Sequence, residues 1–175
     1  MPRPYGATGM SDRFHRRKHP RITGFDYSRS GMYFVTVCTD RRLCLFGDVS
    51  EDAVHLSEIG RVGQACWGEI PGHYPGVATD AFVVMPNHVH GILDFTRGPA
   101  GARSVALGTV VGSFKAAVSS RANELRGTPG ASLWQRGFHD HVIRGEDDLA
   151  ARRQYIAENP LKWHLDHEHP LVWRR

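Results

Sequence analysis

The chain has 175 residues, a formal charge of +4, 41% hydrophobic and 10% aromatic residues, which are values of an ordinary globular chain with a sizeable core. Its three cysteines, Cys38, Cys44 and Cys66, are odd in number and lack paired short spacing, which excludes a disulfide framework and a zinc knuckle and predicts a reducing, cytoplasmic setting. No apolar stretch approaches the length of a membrane span.

Residues 1–24 are expected to form a basic tail, with Arg3, Arg13, Arg16, Arg17, Lys18 and Arg21 against Asp12 and no apolar core of a signal peptide. Such a run is a solvated tail, an arm lying on phosphates, or both. Residues 25–175 are expected to form one domain. Gly31–Thr39, rich in β-branched and aromatic residues, reads as a strand. Leu43–Phe46 and Ala53–Leu56 flank a Gly-Asp-Val-Ser-Glu-Asp turn and predict a hairpin. Ser57 is a plausible N-cap for a helix reaching about Ile70, before Pro71-Gly72.

Val77–Met85 predicts a strand that Pro86 breaks, and His88–Phe95 predicts another. Thr96–Arg103 is loop-like, and a helical pattern around Val110, Val111, Phe114, Ala117 and Val118 spans Val105 to about Leu125. Trp134–Arg144 is aromatic and basic. Glu146, Asp147 and Asp148 favour a helix N-terminus electrostatically, and that helix ends at Glu158 or Asn159 before Pro160. The order suggests an α+β domain with helices on one face of an antiparallel sheet.

Two segments carry residues suited to chemistry. In Met85-Pro86-Asn87-His88-Val89-His90-Gly91, strand alternation points His88 and His90 the same way, about 7 Å apart by strand geometry, so that both can converge on one cation. The competing reading is two partly buried histidines bonded to backbone. Gly91 is expected to leave room for a ligand beside the pair. In Arg152-Arg153-Gln154-Tyr155-Ile156-Ala157-Glu158-Asn159-Pro160, helical spacing puts Arg152, Tyr155 and Asn159 on one face and Leu149 and Ile156 on another. Tyr155 is then either an amphipathic residue at a helix edge or a candidate nucleophile. Asn159 has its own structural reading as a C-cap ahead of proline.

These segments together resemble the HUH-type single-tyrosine transposases, and among them the REP-associated tyrosine transposases. The resemblance also rests on Tyr33-Phe34-Val35-Thr36-Val37, Ser113-Phe114-Lys115 and Leu133-Trp134-Gln135-Arg136-Gly137-Phe138-His139-Asp140-His141-Val142-Ile143-Arg144, all in the family's order. It covers about Gly31 to Trp163 and implies a ferredoxin-like α+β fold. It implies His88 and His90 as paired metal ligands, Tyr155 as the nucleophile, and Asn159 as third ligand, where other members often carry Gln. Glu158 competes as a harder ligand, but its helical angle turns it from Tyr155. The implied cofactor is Mg²⁺ or Mn²⁺, with imidazole favouring Mn²⁺.

The implied activity is cleavage and rejoining of single-stranded DNA at hairpins through a 5′-phosphotyrosine, by a monomer or homodimer in a nucleoid-associated, cytoplasmic setting. A DNA-binding module of the same fold without the reaction, and a His-ligated metal-dependent hydrolase, are the competing functions. Arg152 is expected to favour the Tyr155 phenolate. The candidate DNA contacts are Lys115, Arg121, Arg136, His141, Arg144 and Arg152. Trp134 and Phe138 could stack on bases, but core positions are the preferred reading for both.

Overall fold

The computed structural model describes residues 31–98, 105–166 and 168–169. The basic segment 1–24 lies outside them. The elements are β1 (Met32–Cys38), β2 (Gly47–Ser50), β3 (Ala53–Leu56), α1 (Glu58–His73), β4 (Ala78–Met85), β5 (His88–Asp94), α2 (Leu107–Arg126), β6 (His139–Ile143) and α3 (Gly145–Glu158). Strands β4, β5, β1 and β6 form one antiparallel sheet in that order. With α1 and α2 as crossovers this is the ferredoxin-like arrangement, to which the β2–β3 hairpin and α3 are added.

Alternation along β1 separates two apolar layers. Tyr33, Val35 and Val37 pack with Trp67 and Ile70 of α1 and with Val110, Phe114 and Val118 of α2. Phe34 faces the other way and packs with Ile92, Leu149 and Ile156. The helices therefore do not share one face of the sheet, as the sequence suggested. α3 covers the opposite side, where its apolar stripe is narrow and only Leu149 and Ile156 are buried. Bidentate bonds from Arg153 to Asp80, at 2.8 and 2.7 Å, tie α3 to β4.

Local chemistry explains most of the boundaries. Ser57 Oγ accepts the Gly60 N–H at 3.1 Å and starts α1. Gly127, left-handed at φ 62°, closes α2. Asp148 reaches back to the Arg144 N–H at 3.0 Å and fixes the start of α3. The first hairpin differs from expectation: Gly47–Ser50 is itself a strand, and the turn is only Glu51-Asp52, both at positive φ (51° and 60°). Strand β6 was not read from the sequence at all. It pairs with β1 at the sheet edge, Thr36 opposite His139 and Phe34 opposite His141. Among the described residues no helix is long and apolar enough to cross a membrane. Cys38, Cys44 and Cys66 are free.

Candidate active site

The site lies on the α3 side of the sheet, where β4 and β5 join through Pro86-Asn87. Thr39 N–H and Phe46 N–H donate to the carbonyls of Asn87 and Pro86, at 2.8 and 2.9 Å, and pin this tip. His88 and His90 point to one side, both buried, and their Nε2 atoms lie 3.0 Å apart, far closer than strand spacing alone requires. Gly91 points the other way. A Cβ there would sit 2.3 Å from Trp67 Cζ2 and 3.0 Å from Phe82 Cδ2. It therefore makes room for the α1 tryptophan, not for a ligand beside the histidines.

Neighbours fix the histidine tautomers. The Asn87 amide nitrogen donates to the carbonyls of Arg42 (3.1 Å) and Glu168 (2.7 Å), so its Oδ1 faces His88 Nδ1 at 2.9 Å. That oxygen only accepts, so His88 carries its proton on Nδ1 and presents a lone pair at Nε2. His90 Nδ1 lies 2.8 Å from the Thr36 hydroxyl, which can donate or accept. Each ring is thus held from behind, the usual support for a ligating imidazole. Burial drives the His88 pKa well below its ordinary value, with help from His90 and Arg42. Burial alone takes His90 down to about 3. Both are neutral at physiological pH.

Tyr155 stands over this pair. Its ring centroid is 5.2 Å from that of His90 and 5.8 Å from that of Phe34, which itself stacks on His90 at 5.2 Å. Phe34, Thr36, His90, His139, Arg152, Tyr155, Asp166 and Glu168 line one open cavity of about 490 Å³. Asn159 is buried one turn beyond Tyr155, where its amide favours the Tyr155 phenolate and the charged form of the His88 ring. Its Oδ1 makes no well-formed hydrogen bond among the described residues. Glu158 is turned to Gln154 and Lys162 instead.

The Tyr155 phenol is held above its ordinary pKa, first by burial and then by the Asp166 carboxylate. Arg152 acts in the direction expected from the sequence, but burial outweighs it. Arg152 lies over the Phe34 ring at 5.6 Å and donates to Asp148 at 3.2 Å. Asp148 also bonds His141 Nε2 at 2.8 Å, and its pKa falls to about 2 through the Arg144 N–H first, then His141.

The six basic residues expected to touch DNA do not form one surface. Arg152 lines the cavity, and His141 and Arg144 adjoin it through Asp148. Arg136 is exposed in the loop before β6. Lys115 and Arg121 lie on α2, in the layer across the sheet. Lys115 Nζ donates to the carbonyls of Gln135 and Gly137, both at 2.8 Å, and Arg121 makes a bidentate pair with Glu69. Trp134 and Phe138 belong to the core, Trp134 with its Nε1 on the Lys115 carbonyl at 3.0 Å.

Three residues that hold this site were not singled out in the sequence. Thr36 and Asn87 orient the imidazoles, and Asn87 stood in plain view beside His88. Asp166 is the third. With His88 and His90 it forms a buried group whose ligand atoms all lie within 4.8 Å of one another. The signal was the run Trp163-His164-Leu165-Asp166-His167-Glu168-His169, dense in metal-ligand side chains.

The donor set fits a divalent cation. Two neighbouring ligands about 2.1 Å from one octahedral ion sit about 3.0 Å apart, the observed separation of the two Nε2 atoms.

No family model matches the chain. An uncharacterized protein of Haemophilus influenzae is 33% identical over 168 residues, spanning 87% of this chain and 92% of that protein. A second Haemophilus influenzae protein, named for the REP-associated tyrosine transposases, is 22% identical over 141 residues, 78% of this chain and 74% of its own. The solved structure of a REP-associated tyrosine transposase bound to a REP hairpin matches with a TM-score of 0.58 at 23% identity, covering 79% of this chain and 72% of that one, a likeness of fold. The class that the fold defines is an α+β protein with the architecture of that transposase structure. In sequence the chain resembles a REP-associated tyrosine transposase over most of its length.

Proposed function

We propose that the protein cleaves and rejoins single-stranded DNA beside hairpins, through a covalent bond between Tyr155 and a 5′-phosphate. The observation that carries this reading is the meeting of Tyr155, edge-on, with the stacked Phe34 and His90 rings in one open cavity, with the phenol beside the paired imidazoles. His88 and His90 would hold Mg²⁺ or Mn²⁺ through Nε2, with Asn159 as an amide ligand from α3. Bound there, the cation supplies Lewis-acid polarisation of the scissile phosphate.

The remaining steps belong to the chain's own side chains. Burial keeps the phenol protonated until substrate is seated. Tyr155 Oη then bonds to phosphorus, the P–O3′ bond breaks, and in the net reaction the phenol proton ends on the departing 3′-oxygen. Arg152, at the cavity wall, neutralises phosphate charge. The phosphotyrosine retains the phosphodiester linkage, so a second 3′-hydroxyl can displace Tyr155 and rejoin strands. The REP hairpin in the structural neighbour supports a hairpin substrate here.

The test is a single-turnover reaction with Mn²⁺ and a hairpin oligonucleotide carrying a single-stranded flank, labelled at either end. The downstream, 3′-labelled fragment should travel with the protein, and the upstream, 5′-labelled fragment should be released with a 3′-hydroxyl. Tyr155→Phe should yield neither. Cleavage retained by Tyr155→Phe identifies a hydrolase using water, and binding without any adduct identifies a module that lacks the reaction.

A further inference from the structure

We propose that Asp166 is a direct metal ligand, so that the cation is held by two imidazoles and a carboxylate from the segment after α3. The proposal rests on the reading of His88 and His90 as metal ligands, and deepens it by adding an anion to an otherwise neutral donor set.

Asp166 is aimed at the pair. Its side chain is 3% exposed. Oδ1 accepts the Glu168 N–H at 2.7 Å, which orients the carboxylate, and Oδ2 lies 3.8 Å from His88 Nε2. The contact is not an ordinary ion pair. Asn87 forces the His88 proton onto Nδ1, so carboxylate and imidazole face each other with lone pairs. A divalent cation standing between them would meet both lone pairs. Arg42, the guanidinium whose field reaches His88, pairs with Glu168. Two histidines with one carboxylate form a known divalent-metal set that leaves coordination positions open.

The segment carrying Asp166 is docked by several further contacts. Glu168 offers its carbonyl to Asn87 and its carboxylate to Cys38 Sγ at 3.4 Å. Trp163 lies between His88 (6.0 Å) and His169 (4.7 Å). If Asp166 ligates the ion, metal binding and seating of this segment are one equilibrium, and each stabilises the other.

The experiment is Mn²⁺ titration of the full chain without DNA, by calorimetry and by loss of the free-ion electron paramagnetic resonance signal. Asp166→Asn should bind Mn²⁺ at least tenfold more weakly than the wild type, while Arg121→Ala, in the layer across the sheet, binds as the wild type does. Hydrogen exchange supplies a readout on the unmodified protein: peptides spanning 160–169 should gain protection with Mn²⁺, and should not in Asp166→Asn. Wild-type affinity in Asp166→Asn, with binding lost in His90→Ala, overturns the role of Asp166 and leaves the histidine site standing. Unchanged affinity in both variants overturns the histidine site as well. Unaltered exchange of 160–169 in the wild type on Mn²⁺ binding also overturns the proposal, whatever the variants' folding.

Discussion

Gly91→Ala tests the register on which the site depends. Residue 91 sits between the two faces' assignments: His88 and His90 point toward α3, so residue 91 must point toward α1. The new methyl would meet Trp67 Cζ2 at 2.3 Å, Cη2 at 2.6 Å and Phe82 Cδ2 at 3.0 Å. Trp67 has little room to yield, because it is stacked on Phe82 at 4.5 Å and meets Phe114 edge-on at 5.4 Å. Overpacking costs about 1–3 kcal/mol, and two rigid rings within 3.0 Å of the new methyl place this case at about 2–3 kcal/mol. At about 2–4 °C per kcal/mol for a chain of this size, Tm should fall by about 4–12 °C. Thermal melts followed by circular dichroism measure this. Adding Trp67→Phe removes the two closest carbons, so the double variant should be destabilised by less than the sum of the single changes. Mn²⁺ affinity below Tm should stay within about twofold of wild type, because the histidine face is untouched. A Gly91→Ala protein that melts like the wild type but loses Mn²⁺ would refute the register and restore glycine as space for a ligand.

Thr36→Val keeps the shape but strips His90 Nδ1 of its hydroxyl partner, and should weaken Mn²⁺ binding about 10–100-fold by calorimetry; an unchanged affinity would contradict its orienting role. Asp148 has a folded pKa near 2, below the ordinary carboxyl value, so its contribution to stability is present above about pH 4 and is lost as pH falls through about 2. The Tm gap between wild type and Asp148→Asn should therefore close over that window; a gap that widens on acidification would reverse the sign of the argument. Arg121→Ala breaks an exposed, solvent-screened pair with Glu69 and should leave the single-turnover cleavage rate near that of the wild type. Arg152→Ala should slow that rate at least tenfold, since Arg152 lines the cavity; equal rates in the two variants would detach Arg152 from the chemistry.

The elements read most reliably from the sequence are those with strong local signals. Ser57 caps α1, Pro86 breaks β4, and the acidic first turn starts α3, all chemistry within a few residues. The histidine pair and Tyr155 were legible for the same reason, since alternation and helical spacing assign faces without a partner. What escaped depends on tertiary pairing. Strand β6 is short, polar and at an edge, so His139-Asp140-His141 lacks the apolar alternation that marks a strand. The face taken by α3 depends on Phe34 and Ile92, which only strand pairing brings together. Asp166 joins the site through a return of the chain after α3, and Thr36 through pairing with His90, and neither separation has a local signature.

The central claim is that the Tyr155 hydroxyl becomes bonded to DNA. Trapping the Mn²⁺-dependent adduct on a hairpin oligonucleotide, digesting both components and mapping the modified peptide by mass spectrometry reads that bond directly. The account predicts a nucleoside 5′-phosphate on the peptide containing Tyr155 and on no other peptide. A modified peptide that excludes Tyr155, or product formed with no protein-linked intermediate in wild type and Tyr155→Phe alike, would contradict it.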